Sequence, residues 1–205
     1  MIYRKEIDGL RSVAVLPVVL FHAGISAFSG GFIGVDIFFV ISGYLITGII
    51  LPELEKGEFS LLKFYERRAR RILPALSAVV LACIPVAWLY MLPDPLENFG
   101  QSMLATMLSL NNVLLTMTSG YWDLASEFKP LIHTWSLAVE EQFYVVFPLL
   151  LMLLYPLLKY RAIGAVWVIV IASFAASIFL VRDYPTSTFY LLHTRAWELG
   201  VGALG

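Results

Sequence analysis

Five stretches of this chain, about residues 10–28, 32–52, 74–92, 137–158 and 162–181, are apolar enough to cross a membrane. A spanning helix needs roughly 20 mostly apolar residues. Inside hydrocarbon every backbone polar group has to be satisfied within the protein, which restricts spanning structures to helices and closed barrels. Runs this long and this uniformly apolar select the helix. Composition agrees: 60% of residues are apolar and 14% charged, with mean hydropathy +0.81. Soluble domains run near ~45–50% apolar and ~25% charged. The expected fold is therefore all-α, a polytopic transmembrane bundle of about five to six helices. A sixth apolar segment begins near Arg195 and continues to Gly205, so residues 1–205 read as the N-terminal part of a longer membrane domain.

Charge placement orients the bundle. The segment 53–73 holds Lys56, Lys63, Arg67, Arg68, Arg70 and Arg71, and short Lys/Arg-rich loops stay cytoplasmic. Two spans precede it, so the N-terminus with Arg4 and Lys5 is expected inside as well. Glu6 and Asp8 follow at once and no cleavage site precedes the next apolar run, which reads as a retained first helix rather than a signal peptide. Residues 99–117 are only moderately apolar and carry Gln101, Asn111 and Asn112. Keeping Lys159 and Arg161 inside requires this stretch not to cross, so 93–136 is expected to be external or re-entrant. Irregular backbone at membrane depth must line a cavity or be buried in protein. The single cysteine, Cys83, lies in an apolar run and reads as a packing residue. A net charge of −1 gives no footprint for nucleic acid, and the expected surroundings are membrane lipids.

Four constellations could carry chemistry. Arg11 and His22 are eleven residues apart, so a helix places them on one face, ~16 Å apart along the axis. Ionisable residues inside a membrane helix are costly and are functional candidates by default, and His exchanges protons near neutrality. The bland alternative has Arg11 snorkelling to lipid phosphates and His22 satisfied by a neighbouring helix. Asp36 follows Gly30 and Gly31, which suit a tight hairpin, and enters the second span at a depth similar to His22. A His22–Asp36 pair would orient the imidazole. Alternatively Asp36 caps its helix, with Gly43 and Thr47 forming a small-residue packing face.

The third is the basic run around Arg67, Arg68 and Arg71, either a positive-inside anchor with Pro74 opening the third helix or an anion site for a phosphate-rich acyl donor. The fourth is His133-Thr134-Trp135-Ser136-Leu137-Ala138-Val139-Glu140-Glu141-Gln142. If helical, it puts His133 and Glu140 on one face. An interfacial aromatic belt would account for Trp135 and Tyr144 but not for Glu140 and Glu141. Arg195 and Glu198, three residues apart, could simply pair. No Walker A loop, nucleophile elbow, zinc-type Cys/His cluster or H-E-x-x-H occurs, so no metal is expected.

Taken in order, these motifs resemble the membrane acyltransferase-3 family, whose members O-acetylate peptidoglycan, surface polysaccharides and other glycans. The resemblance runs through Ile7-Asp8-Gly9-Leu10-Arg11, the Arg11 to His22 spacing, Gly31-Phe32-Ile33-Gly34-Val35-Asp36 and Phe38–Leu45. It continues through Phe64–Pro74, His133–Tyr144 and Arg195-x-x-Glu198-x-x-x-Gly202. The wording is most similar to bacterial O-antigen (lipopolysaccharide) acetylases that carry a further extracytoplasmic hydrolase-like domain. The resemblance implies an inner-membrane enzyme that moves acetyl from cytoplasmic acetyl-CoA to a glycan hydroxyl outside. It implies Arg11 and His22 as the essential pair; Asp36 and Glu140 join them as catalytic candidates on their placement along the helices. Arg67, Arg68 and Arg71 would bind the donor, and His133, Trp135 and Glu141 the acceptor. The competing class is a transporter of a small anionic or glycan solute, since buried charges, a re-entrant segment and a cavity also suit a carrier.

Overall fold

The computed structural model describes residues 4–118, 129–158 and 162–205. Every regular element among them is helical: α1 Lys5–His22, α2 Gly34–Glu55, α3 Leu61–Tyr90, α4 Pro93–Met107, α5 Asn111–Thr118, α6 Thr134–Leu158, α7 Ala162–Leu180, α8 Pro185–Tyr190 and α9 Leu192–Leu204, with two short 3-10 turns between α1 and α2. Among the described residues, four helical segments are long and apolar enough to cross a membrane: Gly31–Glu55, Leu61–Tyr90, Thr134–Tyr155 and Ile163–Leu180. This is fewer than the five to six expected. The difference lies in α1, which starts at Lys5 with three more charges by Arg11, and in α9, which has only 13 residues. Lys159 and Arg161, used above to orient the chain, lie outside the described residues.

Helix ends differ from the apolar runs for identifiable reasons. The first run continues to residue 28, but α1 stops at His22. Gly24, at φ +74, donates to the Phe21 carbonyl, and Ile25 N donates to the Leu20 carbonyl. This is the 5→2 and 6→1 pair that ends a helix on a left-handed glycine. Gly57 (φ +69) ends α2 in the same way. Pro74 does not open the third helix. Ser60 caps it, accepting from Lys63 N, and Pro74 and Pro85 both lie inside α3. The basic run is thus the first part of a 30-residue helix, about 45 Å long, and not a loop.

The contacts group the chain into two compact units. One comprises Met1–Glu58, Phe143–Leu180 and His193–Gly205. In it α1 and α2 run antiparallel and touch backbone to backbone, because a Cβ on Gly31 or Gly34 would strike the carbonyls of Pro17 or Ala14. α9 is as tightly apposed to α2: Gly43 abuts the Leu199 carbonyl and Gly202 the Val40 carbonyl. The small-residue face expected at Gly43 is therefore real, and its partner is α9. α7 lies antiparallel to α9, with Val170 against Gly200 and Trp197 N donating to Ser173 Oγ at 3.0 Å. The side of α7 bearing Val166, Val170 and Ser173 is buried. Val168 and Phe179 are 67% and 78% exposed, a surface suited to lipid and not to water.

The other unit comprises Phe59–Gln142 and Val181–Leu192. Val80 and Ala87 of α3 pack with Phe99 of α4 and Leu131, and Cys83 packs against this cluster. The doubtful stretch 99–117 is broken: α4 and α5 are separated at Ser109, whose φ is +56. Neither piece is long enough to span, at 15 and 8 residues. The amides there knit the break to α6 and α8. Asn111 Nδ2 donates to Leu131 O and Thr134 Oγ1. Asn112 and Gln142 exchange hydrogen bonds at 3.2 and 2.8 Å. Asn112 also donates to Tyr190 O, and Gln142 to Ser109 O. Asn112→Leu strands several buried polar groups. It is expected to cost about 2 kcal/mol, read as a lower thermal midpoint of the detergent-solubilised protein.

Candidate functional site

α1 presents both members of the Arg–His pair. The Arg11 guanidinium lies over the Phe38 ring, 5.0 Å from its centroid, a cation–π seat. Its Nε is buried without a hydrogen-bond partner. His22 occupies the last turn of α1, and its Nδ1 lies 2.8 Å from the Val18 carbonyl. A carbonyl only accepts, so Nδ1 carries the proton and the lone pair of the neutral ring is on Nε2. The Phe21 ring meets the imidazole edge to face at 5.0 Å. Arg11 and His22 sit on one rigid helix, ~16 Å apart, and do not contact one another.

Asp36 does not serve as the partner of His22. It stands in the first turn of α2, and its Oδ1 accepts from Arg195 Nη1 at 2.8 Å. Arg195, brought to the start of α2 by the packing of α9, takes the place that the sequence suggested for the imidazole. The same Arg195 nitrogen donates to Glu198 Oε1 at 2.7 Å. The Arg195–Glu198 pairing was readable from spacing. The third member, 159 residues away in sequence, was not. Close to Arg11 on α1, a cleft of about 760 Å³ is lined by Leu10, Val40, Ile41 and Val201, with Arg4 donating to the Tyr44 hydroxyl at its edge.

In the second unit, the arginines of α3 have different surroundings. Arg70 is paired with Glu66 at 2.8 Å on the surface. Arg67 and Arg71 are exposed and Arg68 is partly buried, its guanidinium 5.8 Å from the Phe64 ring centroid. Arg68 also acts electrostatically on Glu141, as does Glu140. Tertiary structure thus brings the basic run and the paired acids of α6 together, a connection that their separation of some seventy residues conceals. Glu140 is buried, and Glu141 has one buried oxygen, Oε1, without a hydrogen-bond partner. His133 lies in the turn before α6 and is exposed, so it is not in helical register with Glu140. Trp135 is buried against Phe189 and Tyr190, at centroid distances of 4.7 and 5.5 Å. Trp135 thus holds a packed position at the start of α6. Among the described residues no group of three or more His, Cys, Asp or Glu could hold a metal ion.

The family that the sequence motifs resemble is also the one that comparison finds. The family described as "Acyltransferase domain" matches residues 4–205, and the chain belongs to it. Peptidoglycan O-acetyltransferase OatA of Listeria monocytogenes is 34% identical over 210 residues, covering 96% of this chain and 32% of that protein. A Staphylococcus aureus protein named as an O-acetyltransferase is 39% identical over 210 residues, covering 100% of this chain and 34% of that protein. A Haemophilus influenzae protein is 36% identical over 178 residues, covering 82% and 72%. The chain therefore spans about a third of the length of the relatives named as O-acetyltransferases. No solved structure matches.

Proposed function

We propose that this chain is the donor-side part of a membrane O-acetyltransferase that carries acetyl from cytoplasmic acetyl-CoA to a hydroxyl of an extracytoplasmic glycan, peptidoglycan or another surface polysaccharide. The observation that carries the reading is the His22 tautomer. With Nδ1 committed to the Val18 carbonyl, the Nε2 lone pair can take the proton of an acceptor hydroxyl. The hydroxyl oxygen attacks the thioester carbonyl, the C–S bond breaks, and the thiolate leaves and is protonated. If His22 instead carries the acyl group, an acetyl-imidazole is trapped by rapid acid quench.

On this reading the arginine-rich start of α3 is cytoplasmic, and Arg67, Arg68 and Arg71 meet donor phosphates. Arg11, seated on Phe38, neighbours a cleft whose size falls within the range of small-molecule sites. Glu141, within the field of Arg68, would compete with a donor phosphate for that guanidinium. His133, exposed in the turn before α6, faces the acceptor. Arg68→Gln and Arg71→Gln are expected to raise KM for acetyl-CoA about tenfold each, with kcat little changed, since each removes a charge-assisted phosphate contact.

The test is acetyl transfer in membrane vesicles of the full-length protein supplied with radiolabelled acetyl-CoA. Label covalently on glycan supports the transferase. Unmodified solute crossing without labelling supports the transporter and overturns the proposal.

A further inference from the structure

We propose that Asp36, Arg195 and Glu198 form a charge clamp, with a proton held on Glu198, that positions the α1–α2 hairpin bearing Arg11 and His22. Where it touches catalysis this rests on the acyl-transfer reading above.

One nitrogen, Arg195 Nη1, donates to both carboxylates, at 2.8 Å to Asp36 and 2.7 Å to Glu198. One positive charge therefore faces two acids. The Glu198 side chain is 2% exposed and that of Asp36 36%. Glu198 Oε2 is buried and has no hydrogen-bond partner. Among the described residues of this unit, the packed helices bring no further charge to the set. α7 from 163 to 180 and the part of α6 in this unit, 143–158, contain no charged residue. On α2 the remaining acids, Glu53 and Glu55, lie at the far end. On α1, Arg11 lies on the Phe38 ring, and on α9, His193 is exposed. The charges acting on Glu198 are those of Arg195 and Asp36.

With both acids ionised, the clamp would hold an uncompensated buried negative charge, which is strongly unfavourable. A proton on the more buried acid removes it, and Oε2 is the oxygen to carry it, since Oε1 is engaged by Arg195. Asp36 remains ionised and bridges α2 to α9. The clamp ties α9 to α2 two residues after Gly34, which abuts Ala14 of α1. α9 is held in turn by α7 through Ser173. The seat of Gly31 on Pro17 lies five residues from His22. Displacement at Asp36 is thereby transmitted to the helix that presents the imidazole. Asp36 is on this account a positioning residue and not a catalytic one.

The experiment compares Asp36→Asn, Arg195→Gln and Glu198→Gln in the full-length protein, reading acetyl transfer from radiolabelled acetyl-CoA to cell-wall glycan at matched membrane levels. Asp36→Asn and Arg195→Gln are expected to lower transfer about tenfold or more, while Glu198→Gln, which mimics the protonated acid, stays within about twofold. The proton is lost as pH rises, so the wild type loses activity on the alkaline side and Glu198→Gln resists that loss. A packing role alone would not produce this difference in pH profile. Glu198→Gln falling as far as Asp36→Asn, or Asp36→Asn matching wild type, overturns the clamp. The thermal midpoint in detergent gives a reading independent of catalysis: down by about 10 °C for Asp36→Asn, unchanged for Glu198→Gln. If wild type transfers no label, the acyl-transfer reading fails while these midpoints still decide the clamp.

Discussion

His22→Ala in the full-length protein is expected to lower glycan O-acetylation by about 10²- to 10⁴-fold, the usual contribution of a positioned acid–base group, with no loss of protein from the membrane. His22 is the last helical residue of α1 and is exposed, so its removal opens no buried cavity. Its hydrogen bond to Val18 is local to one turn. A large loss of activity with unchanged thermal stability therefore separates chemistry from structure. Retention of full O-acetylation by His22→Ala would sink the assignment. Arg11→Ala should behave differently. Its guanidinium is seated on Phe38 with a buried Nε, so that variant is expected to lose stability along with activity.

The second large effect is steric. Gly43→Ala and Gly202→Ala each place a methyl group against a carbonyl of the facing helix, Leu199 or Val40. Neither neighbour is a flexible side-chain end, so α2 and α9 must separate. The expected cost is about 3 kcal/mol for each, lowering the thermal midpoint in detergent by about 10 °C and reducing activity with it. Gly9→Ala in α1 and Gly164→Ala in α7 provide the contrast. A Cβ at either position meets nothing within 4 Å, and alanine is the better helix former by about 1 kcal/mol. Both should be neutral or slightly stabilising. If Gly43→Ala were as benign as Gly164→Ala, the close crossing of α2 and α9 would be wrong.

Much of this architecture was legible in one dimension because bilayer insertion depends on local sums. Apolar length marked α2, α6 and α7 to within a few residues, and the Arg195–Glu198 pair follows from helical spacing alone. The helix ends were less legible. The apolar run through Ala23–Phe28 hid the termination of α1, although Gly24 carried the signal, and the charges of 61–73 disguised the first turns of α3. The polar residues of 99–117 looked like a defect in a membrane helix. They are instead the bonds that join a broken segment to Gln142 and Tyr190.

By itself, then, the sequence determined the class of fold, the order of the helices and, through the spacing of its motifs, membership of the acyltransferase family. Each of these depends on residue types within a few turns of one another. Only the tertiary structure decided which charge meets which. Asp36 answers to Arg195 and not to His22, and Glu141 lies within the field of Arg68. Coulombic and hydrogen-bonded pairing acts over a few ångströms of space, whatever the separation along the chain, and helix crossings set by Gly31, Gly34, Gly43 and Gly202 fix which residues come that close.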